Sequence, residues 1–442
     1  MPTTRRRRHP AACAAAGAAV LVLTASCAVL STSVREDDVP DTVSTAVTDE
    51  PVTLRLAYTD DPPTEALVDG FTRRHPNVTV DLERTQFSDY VKTVKLAMSS
   101  DDPPDIAQYN TGAMNSLVPA GLILDLDKHA AAYGWEEAFP SSAMDPLRTD
   151  QDAERFGSGS LYAVPGSLSV LGVFYNKDIL AGAGIEEPPR TLGAFEDALE
   201  RVHAEGTTPV GNGALEVGGF QIWNALLNVT GDEQDYRDWV YGAPGATIET
   251  EAAQEAAATL ARWAERGYLS EGANATSDID AQADFASGGS AFLITGNWAA
   301  AALAEEMGED VGFFLMPGPA GAVPGASGAS VSYAVSSQSD HPDVAAAFLD
   351  YLGSPEAARI QAESGFMPVD PEAAGGEGGV MGDIDSGFAR VIEEEGLVPF
   401  PDYATPGMLD QLTPGVQGLV AGVTTEEEFL RTLQQEWEGD HG

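Results

Sequence analysis

Cysteine is nearly absent from this 442-residue chain, and both copies, Cys13 and Cys27, lie at its very start. Everything beyond them is free of thiol chemistry, which excludes a disulfide, a redox pair and a thiolate metal site. Positive charge is scarce as well. Against 69 Asp and Glu stand 23 Lys and Arg, a formal net charge of −46. Such a surface disfavours nucleic acid and anionic lipid headgroups, because like charges repel within a Debye length. It suits a soluble protein with neutral or cationic ligands. Long apolar runs are also missing: the run Ala11 to Leu23 is shorter than the ~20 residues of a spanning helix, and no later segment approaches that length.

Signatures of catalysis are missing too. Beyond residue 26 the histidines stand at 75, 129, 203, 341 and 441, and no pair has the spacing of a zinc site. There is no Gly-x-Ser-x-Gly elbow, Walker loop or Gly-x-Gly-x-x-Gly fingerprint. Asp150-Gln151-Asp152-Ala153-Glu154 faintly resembles a calcium loop, but its sixth position is Arg155 where glycine is needed. We expect no metal and no cofactor. A carboxylate pair among so many acids stays open, yet the balance leans toward binding.

What is there begins with the leader. Arg5 to Arg8 precede the apolar run, which ends in Thr24-Ala25-Ser26-Cys27, the layout of a secretory signal peptide. A cysteine directly after small residues resembles the lipobox of bacterial lipoproteins, whose thiol is acylated and becomes the N-terminus. Thr24 stands where such boxes usually carry leucine. Residues 1–26 are therefore expected to be the signal, with Cys27 lipidated. An uncleaved anchor, or a signal cut elsewhere, is the alternative. Removing residues 1–26 takes four arginines and no acid, so the charge falls from −46 to −50. Residues 27–51 lack periodicity and aromatics and read as a disordered tether, up to ~80 Å long if extended.

From Val52 the chain turns regular. Thr53 to Tyr58 alternates as a strand, and a helix capped at Thr64 carries Leu67, Val68 and Phe71 on one face. Val78 to Leu82 and Asp105 to Tyr109 are further strands, separated by a helix holding Tyr90 and Val94. Strand, helix, strand, helix, strand predicts an α/β fold with a parallel sheet. Ligands of open α/β sheets bind beyond the carboxyl ends of strands, which selects Asp60 and Asp61, then Tyr109 and Asn110. A second α/β block starts near Val164, with a strand over Val170 to Asn176 and a helix from Thr191 to Gly206. Helices are expected at Ala252 to Arg266, Asp343 to Leu352 and Thr425 to Trp437, and a glycine-rich loop at Pro371 to Gly387.

The tryptophans discriminate further. Trp298 follows Gly296-Asn297 where the strand Ala291 to Ile294 ends, a position from which a ring can face a ligand. Trp223 follows Phe220-Gln221 in a Gly-Gly loop. Trp135, Trp239, Trp263 and Trp437 read as packing residues.

These segments, in order, resemble family 1 of the extracellular solute-binding proteins, the carbohydrate receptors of ABC importers. The carriers are Pro104-Asp105-Ile106, Leu161-Tyr162-Ala163-Val164-Pro165, Phe174-Tyr175-Asn176-Lys177-Asp178 and Ala183-Gly184-Ile185. Phe285-Ala286-Ser287-Gly288, Gly296-Asn297-Trp298, Ser354-Pro355-Glu356 and Gly365-Phe366-Met367-Pro368-Val369 complete the series. The resemblance implies a two-lobed periplasmic-binding-protein-like fold with a crossing hinge. Its lobes would be residues 52–163 plus 319–352 and residues 165–317 plus 354–442. It implies stacking rings at Tyr109 and Trp298, an acidic contact at Asp60 or Asp61, and aromatics of the second lobe at Phe220, Trp223 and Tyr403. Gln221, Asn297 and Asn110 would add polar contacts, and Ser169 stands where the family can place a carboxylate. The implied protein is a monomer, lipid-anchored outside the cytoplasmic membrane, that hands a sugar to permease subunits and performs no reaction. A receptor for a polyamine or other non-sugar solute, and a lipid-anchored glycosidase, are the alternatives.

Overall fold

The computed structural model describes residues 43–59, 63–109, 111–153, 155–319, 325–369, 378–393 and 396–442. The expected signal peptide and Cys27 lie outside them, as do Asp60, Asp61 and Asn110. Among the described residues nine strands make the main sheet: β1 (Val52–Tyr58), β2 (Val78–Arg84), β3 (Ile106–Tyr109), β4 (Val164–Asn176), β5 (Thr208–Gly211), β6 (Ser290–Gly296), β7 (Val311–Phe314), β8 (Ala326–Val335) and β9 (Leu397–Val398). Alternation builds the first of them. In β1, Leu54 and Leu56 are fully buried while Thr53 faces solvent. It pairs in parallel with β2 and β3. The intervening helices α1 (Thr64–Arg74) and α2 (Phe87–Met98) bury Phe71, Val94 and Met98 in the same core.

The sheet runs β2-β1-β3-β8-β4-β6-β5, with β7 on β4 and β9 on β8. Two long strands join its halves. The first part of β4 pairs antiparallel with β8, and its remainder, from Leu171, pairs with β6 and β7. β8 in turn pairs with β3 through Ser332 to Val335. β4 is buried along almost its whole length, which explains a sequence with little polar alternation. Two hydrophobic cores result. One gathers Leu54, Phe71, Ile106, Tyr333 and Phe348; the other gathers Phe195, Trp263, Phe292 and Leu433. This is the two-lobed α/β architecture.

Local signals set the helix ends. Thr191 Oγ1 accepts from Ala194 N at 3.1 Å to start α3 (Leu192–Ala204), and Gly206 follows its end at φ +85°. Helices α4 (Gly218–Thr230), α5 (Glu251–Glu265), α6 (Asp278–Ala286) and α7 (Pro342–Leu352) follow. After α8 (Val380–Glu393), helix α9 (Glu426–His441) opens with a reciprocal capping box between Thr425 and Glu428.

Three expectations are corrected. Thr64 does not cap α1: Pro63 occupies the cap, and the Thr64 hydroxyl lies 2.7 Å from the Tyr333 hydroxyl inside the core. Trp223 is within α4, not a loop. The glycine-rich stretch is helical from Val380, because Val380, Ile384, Phe388 and Val391 form a buried stripe that outweighs the helix-weakening glycines. Trp135, Trp239, Trp263 and Trp437 are all buried. Trp437 Nε1 donates to Trp239 O at 2.7 Å, tying α9 to the second core.

Candidate functional site

A cavity of about 660 Å³ opens where the ends of β1, β3, β5 and β6 converge on β4 and β8. Its aromatic wall is assembled from two distant segments. Trp298 comes just after β6, and Phe400 and Tyr403 come just after β9. The Trp298 and Phe400 rings lie 6.2 Å apart at 54°, and Phe400 meets Tyr403 edge-on at 5.8 Å and 72°. Trp298 is half-buried and packs against both cores, whereas Phe400 and Tyr403 are buried. Phe220, on the first turn of α4, extends the wall.

The polar groups fall into two kinds. Some are consumed by the scaffold. Asp278, at the start of α6, accepts from Gly218 N at 3.0 Å and from Val217 N at 3.3 Å, so it caps α4 from outside. Cβ atoms at Gly213 or Gly218 would run into Asp278, which is why small residues stand there. The backbone N–H of Asp278 donates to Glu216 Oε2 at 3.1 Å. Glu216 Oε1 then accepts from Gln86 Nε2 at 2.6 Å, a bond that spans the cleft from α4's approach to the residue preceding α2. Asn115 Nδ2 to Tyr403 O, at 3.4 Å, is a second crossing. The Ser169 hydroxyl faces the cavity but exchanges hydrogen bonds with Ala329 on β8, at 3.1 and 3.3 Å.

Others have no partner. Asn212, directly after β5, is 2 % exposed, and neither its Oδ1 nor its Nδ2 has a hydrogen-bond partner among the described residues. Buried amides are almost always satisfied, and this one lines the cavity. Asp402 faces the same cavity. Burial pushes its carboxyl up to about 7, offset only in part by its own backbone N–H. Among the described residues no cation lies within ion-pair distance of it. None of the described His, Cys, Asp or Glu side chains form a group of three or more able to hold a metal ion.

The cavity thus brings together Ser169, Phe220, Gln221, Trp298 and Tyr403 of the residues selected from the sequence. Tyr109 ends β3 opposite Ser332, with only its backbone described. Two selections are corrected. Trp223 is fully buried away from the cavity, edge-on to Phe429 at 5.1 Å, with Nε1 donating to Ala253 O at 3.3 Å. Its helical position turns the ring into the second core rather than into the cleft. Asn297 is also fully buried, and its amide clamps backbone: Oδ1 accepts from Val170 N at 2.9 Å and Nδ2 donates to Gly365 O at 2.7 Å. Sequence reading missed Asn212, Glu216, Gln86, Phe400 and Asp402. Asn212 was within reach, since the rule that selected Asp60 and Asn110 applies equally to the residue after β5.

The profile of the bacterial extracellular solute-binding protein family matches residues 58–359. A binding protein of Brucella abortus (strain 2308) is 24 % identical over 319 residues, covering 70 % of this chain and 73 % of that protein. Among solved structures, a chitin oligosaccharide binding protein aligns at TM-score 0.72 and 22 % identity, over 88 % of this chain and 99 % of its own. The GacH receptor of Streptomyces glaucescens, described unliganded and with acarbose, aligns at 0.69 and 18 % identity, over 88 % and 98 %. Maltose-bound MalE3 of T. maritima aligns at 0.71 and 18 %, over 88 % and 99 %. With the two-lobed fold and a cavity between the lobes, the chain belongs to the bacterial extracellular solute-binding protein family.

Proposed function

We propose that this protein captures a mono- or oligosaccharide in the cavity, without turnover, and delivers it to the permease of an ABC importer. The observation that carries the reading is the pairing of the Trp298–Phe400–Tyr403 wall with the unsatisfied amide of Asn212. A pyranose has an apolar C–H face and a rim of hydroxyls, so ring faces beside an amide that both donates and accepts match its two chemistries. Gln221, also in the wall, adds a second amide. Lobes of residues 52–163 plus 319–352 and 165–317 plus 354–442 would close about β4 and β8, and closure would remake the surface a permease reads.

The same reading places the protein outside the cytoplasmic membrane on a lipid at Cys27. No helix of the described residues is long and apolar enough to cross a membrane, which fits an anchor carried by the leader. Thermal unfolding of the mature chain across a panel of sugars is the test. A ligand at 100 times its Kd adds about 2.7 kcal/mol of stability. If every sugar leaves the melting temperature unchanged while peptides or amines raise it, the carbohydrate assignment is wrong.

A further inference from the structure

The cavity's charge points to a narrower ligand class. Asp402 stands between Phe400 and Tyr403 in the aromatic wall, and no side chain among the described residues ion-pairs or hydrogen-bonds with it. The titratable groups that interact with it are the phenols of Tyr236 and Tyr403. Neither offers a counter-cation, since burial holds both phenols neutral. Asn212 supplies a second unsatisfied acceptor, its Oδ1. Asp402 is half-buried, and a carboxylate partly withdrawn from water is costly unless a cation or several donors satisfy it.

A neutral sugar hydroxyl supplies one donor to such a group. An ammonium supplies up to three donors and a charge, and ring faces attract a cation through their quadrupole. The opposing charges lie on the other wall. Lys92 and Lys95 line the cavity from α2, but both are exposed, where water and salt screen their repulsion. Asp402 acts from an apolar wall, where screening is weak. On the second lobe the half-buried Glu216 adds negative potential to the same cavity, while the exposed Asp410 is screened as the lysines are.

We propose that the ligand carries a protonated amine, as an amino sugar does, and that Asp402 with the ring faces of Trp298, Phe400 and Tyr403 forms the subsite that selects it. This rests on the carbohydrate reading above and narrows it.

Calorimetric titration of the mature protein with glucosamine and its β-1,4 disaccharide tests it, beside their N-acetyl and glucose counterparts and spermidine, at a pH where the amines are charged. The amino sugar is expected to bind at least about tenfold tighter than either neutral counterpart, the low end for close charge pairs. Asp402→Asn is expected to bring that ratio to about one, with folding checked by melting curves. Neutral sugars binding as tightly as amino sugars, or a ratio that survives Asp402→Asn, overturns the inference and leaves the carbohydrate reading standing. Spermidine binding that Asp402→Asn abolishes, with no sugar binding at all, supports the cation subsite and overturns the carbohydrate reading. No amine binding of either kind overturns the inference.

Discussion

The indole of Trp298 lies across the α-carbon of Gly296, so that a Cβ at Gly296 would collide with its six-membered ring. The glycine fixes the indole as part of the cavity wall, half-buried and in reach of a ligand. Trp298→Ala is expected to weaken ligand binding by about 1–3 kcal/mol, the range for aromatic stacking on a flat ligand. That is roughly five- to 150-fold in Kd. Gly296→Ala, which displaces the ring without removing it, is expected to weaken binding in the same direction. Trp223→Ala, in the core, should instead cost about 3–5 kcal/mol of ligand-free stability. Calorimetry and melting curves on the three variants decide; a Trp298→Ala protein that binds as the parent does would place the site elsewhere.

Asn212 and Asn297 are both buried asparagines and should behave in opposite ways. Asn297→Ala strands Val170 N and Gly365 O in the core, at about 1–3 kcal/mol for each unsatisfied group. Asn212→Ala removes two groups that already lack partners, so the ligand-free protein should hold or gain stability while ligand affinity falls. A large loss of ligand-free stability in Asn212→Ala would show that its amide is structural.

Gln86 and Glu216 meet across the cleft at 2.6 Å. Gln86 is exposed, so the bond should contribute about 0.5–1.5 kcal/mol to the closed arrangement. A double-mutant cycle with Gln86→Ala and Glu216→Ala should return a coupling of that size in Kd, carried mainly by faster ligand release. Small-angle scattering of ligand-free Gln86→Ala should show a larger radius of gyration. A zero coupling together with an unchanged radius removes the bond from closure.

Asp402 makes stability depend on pH in a definite direction. Its folded-state pKa is raised, to about 7, so the native state holds a proton that the unfolded chain releases near pH 4. The stabilising contribution is complete below about pH 4 and is lost as pH rises to about 7, up to about 4 kcal/mol. Asp402→Asn cannot titrate. Its melting temperature relative to the parent should therefore climb from pH 4 to 7 and level off above. Parallel pH profiles for the two proteins would show that Asp402 titrates normally.

Cys27→Ser should release the protein to the medium or leave it unprocessed, whereas Cys13→Ser should leave the mature product unchanged. Mass spectrometry of the mature N-terminus reads the outcome. An unmodified residue other than Cys27 at that terminus excludes the lipid anchor. Because one acyl chain holds only weakly, stable retention predicts more than one chain on the cysteine.

Much of the architecture was legible because its signals are local. The period-two burial of β1, the Thr191 cap with Gly206 beyond it, and the Thr425–Glu428 box are each written within a few residues. The end of β6 likewise announced Trp298, and the tryptophans judged to be packing residues are buried. Trp223 and Asn297 misled for one shared reason. Residue type and a neighbouring glycine resemble a site, but the direction of a side chain is set by the element that carries it, a helix for Trp223 and a one-turn clamp onto β4 and Gly365 for Asn297.

The sequence by itself determined that the chain is built from α/β units and that its family is one of extracellular solute-binding proteins, because periodicity and ordered segments survive without coordinates. Only the tertiary structure decided which polar groups are spent and which are left for a ligand. Asn212 is unsatisfied, Glu216 is taken by Gln86, and Asp402 is partly withdrawn from water, because β4 and β8 draw segments distant in sequence around one cavity. Satisfaction and desolvation belong to an environment, and no residue carries its environment in its own name.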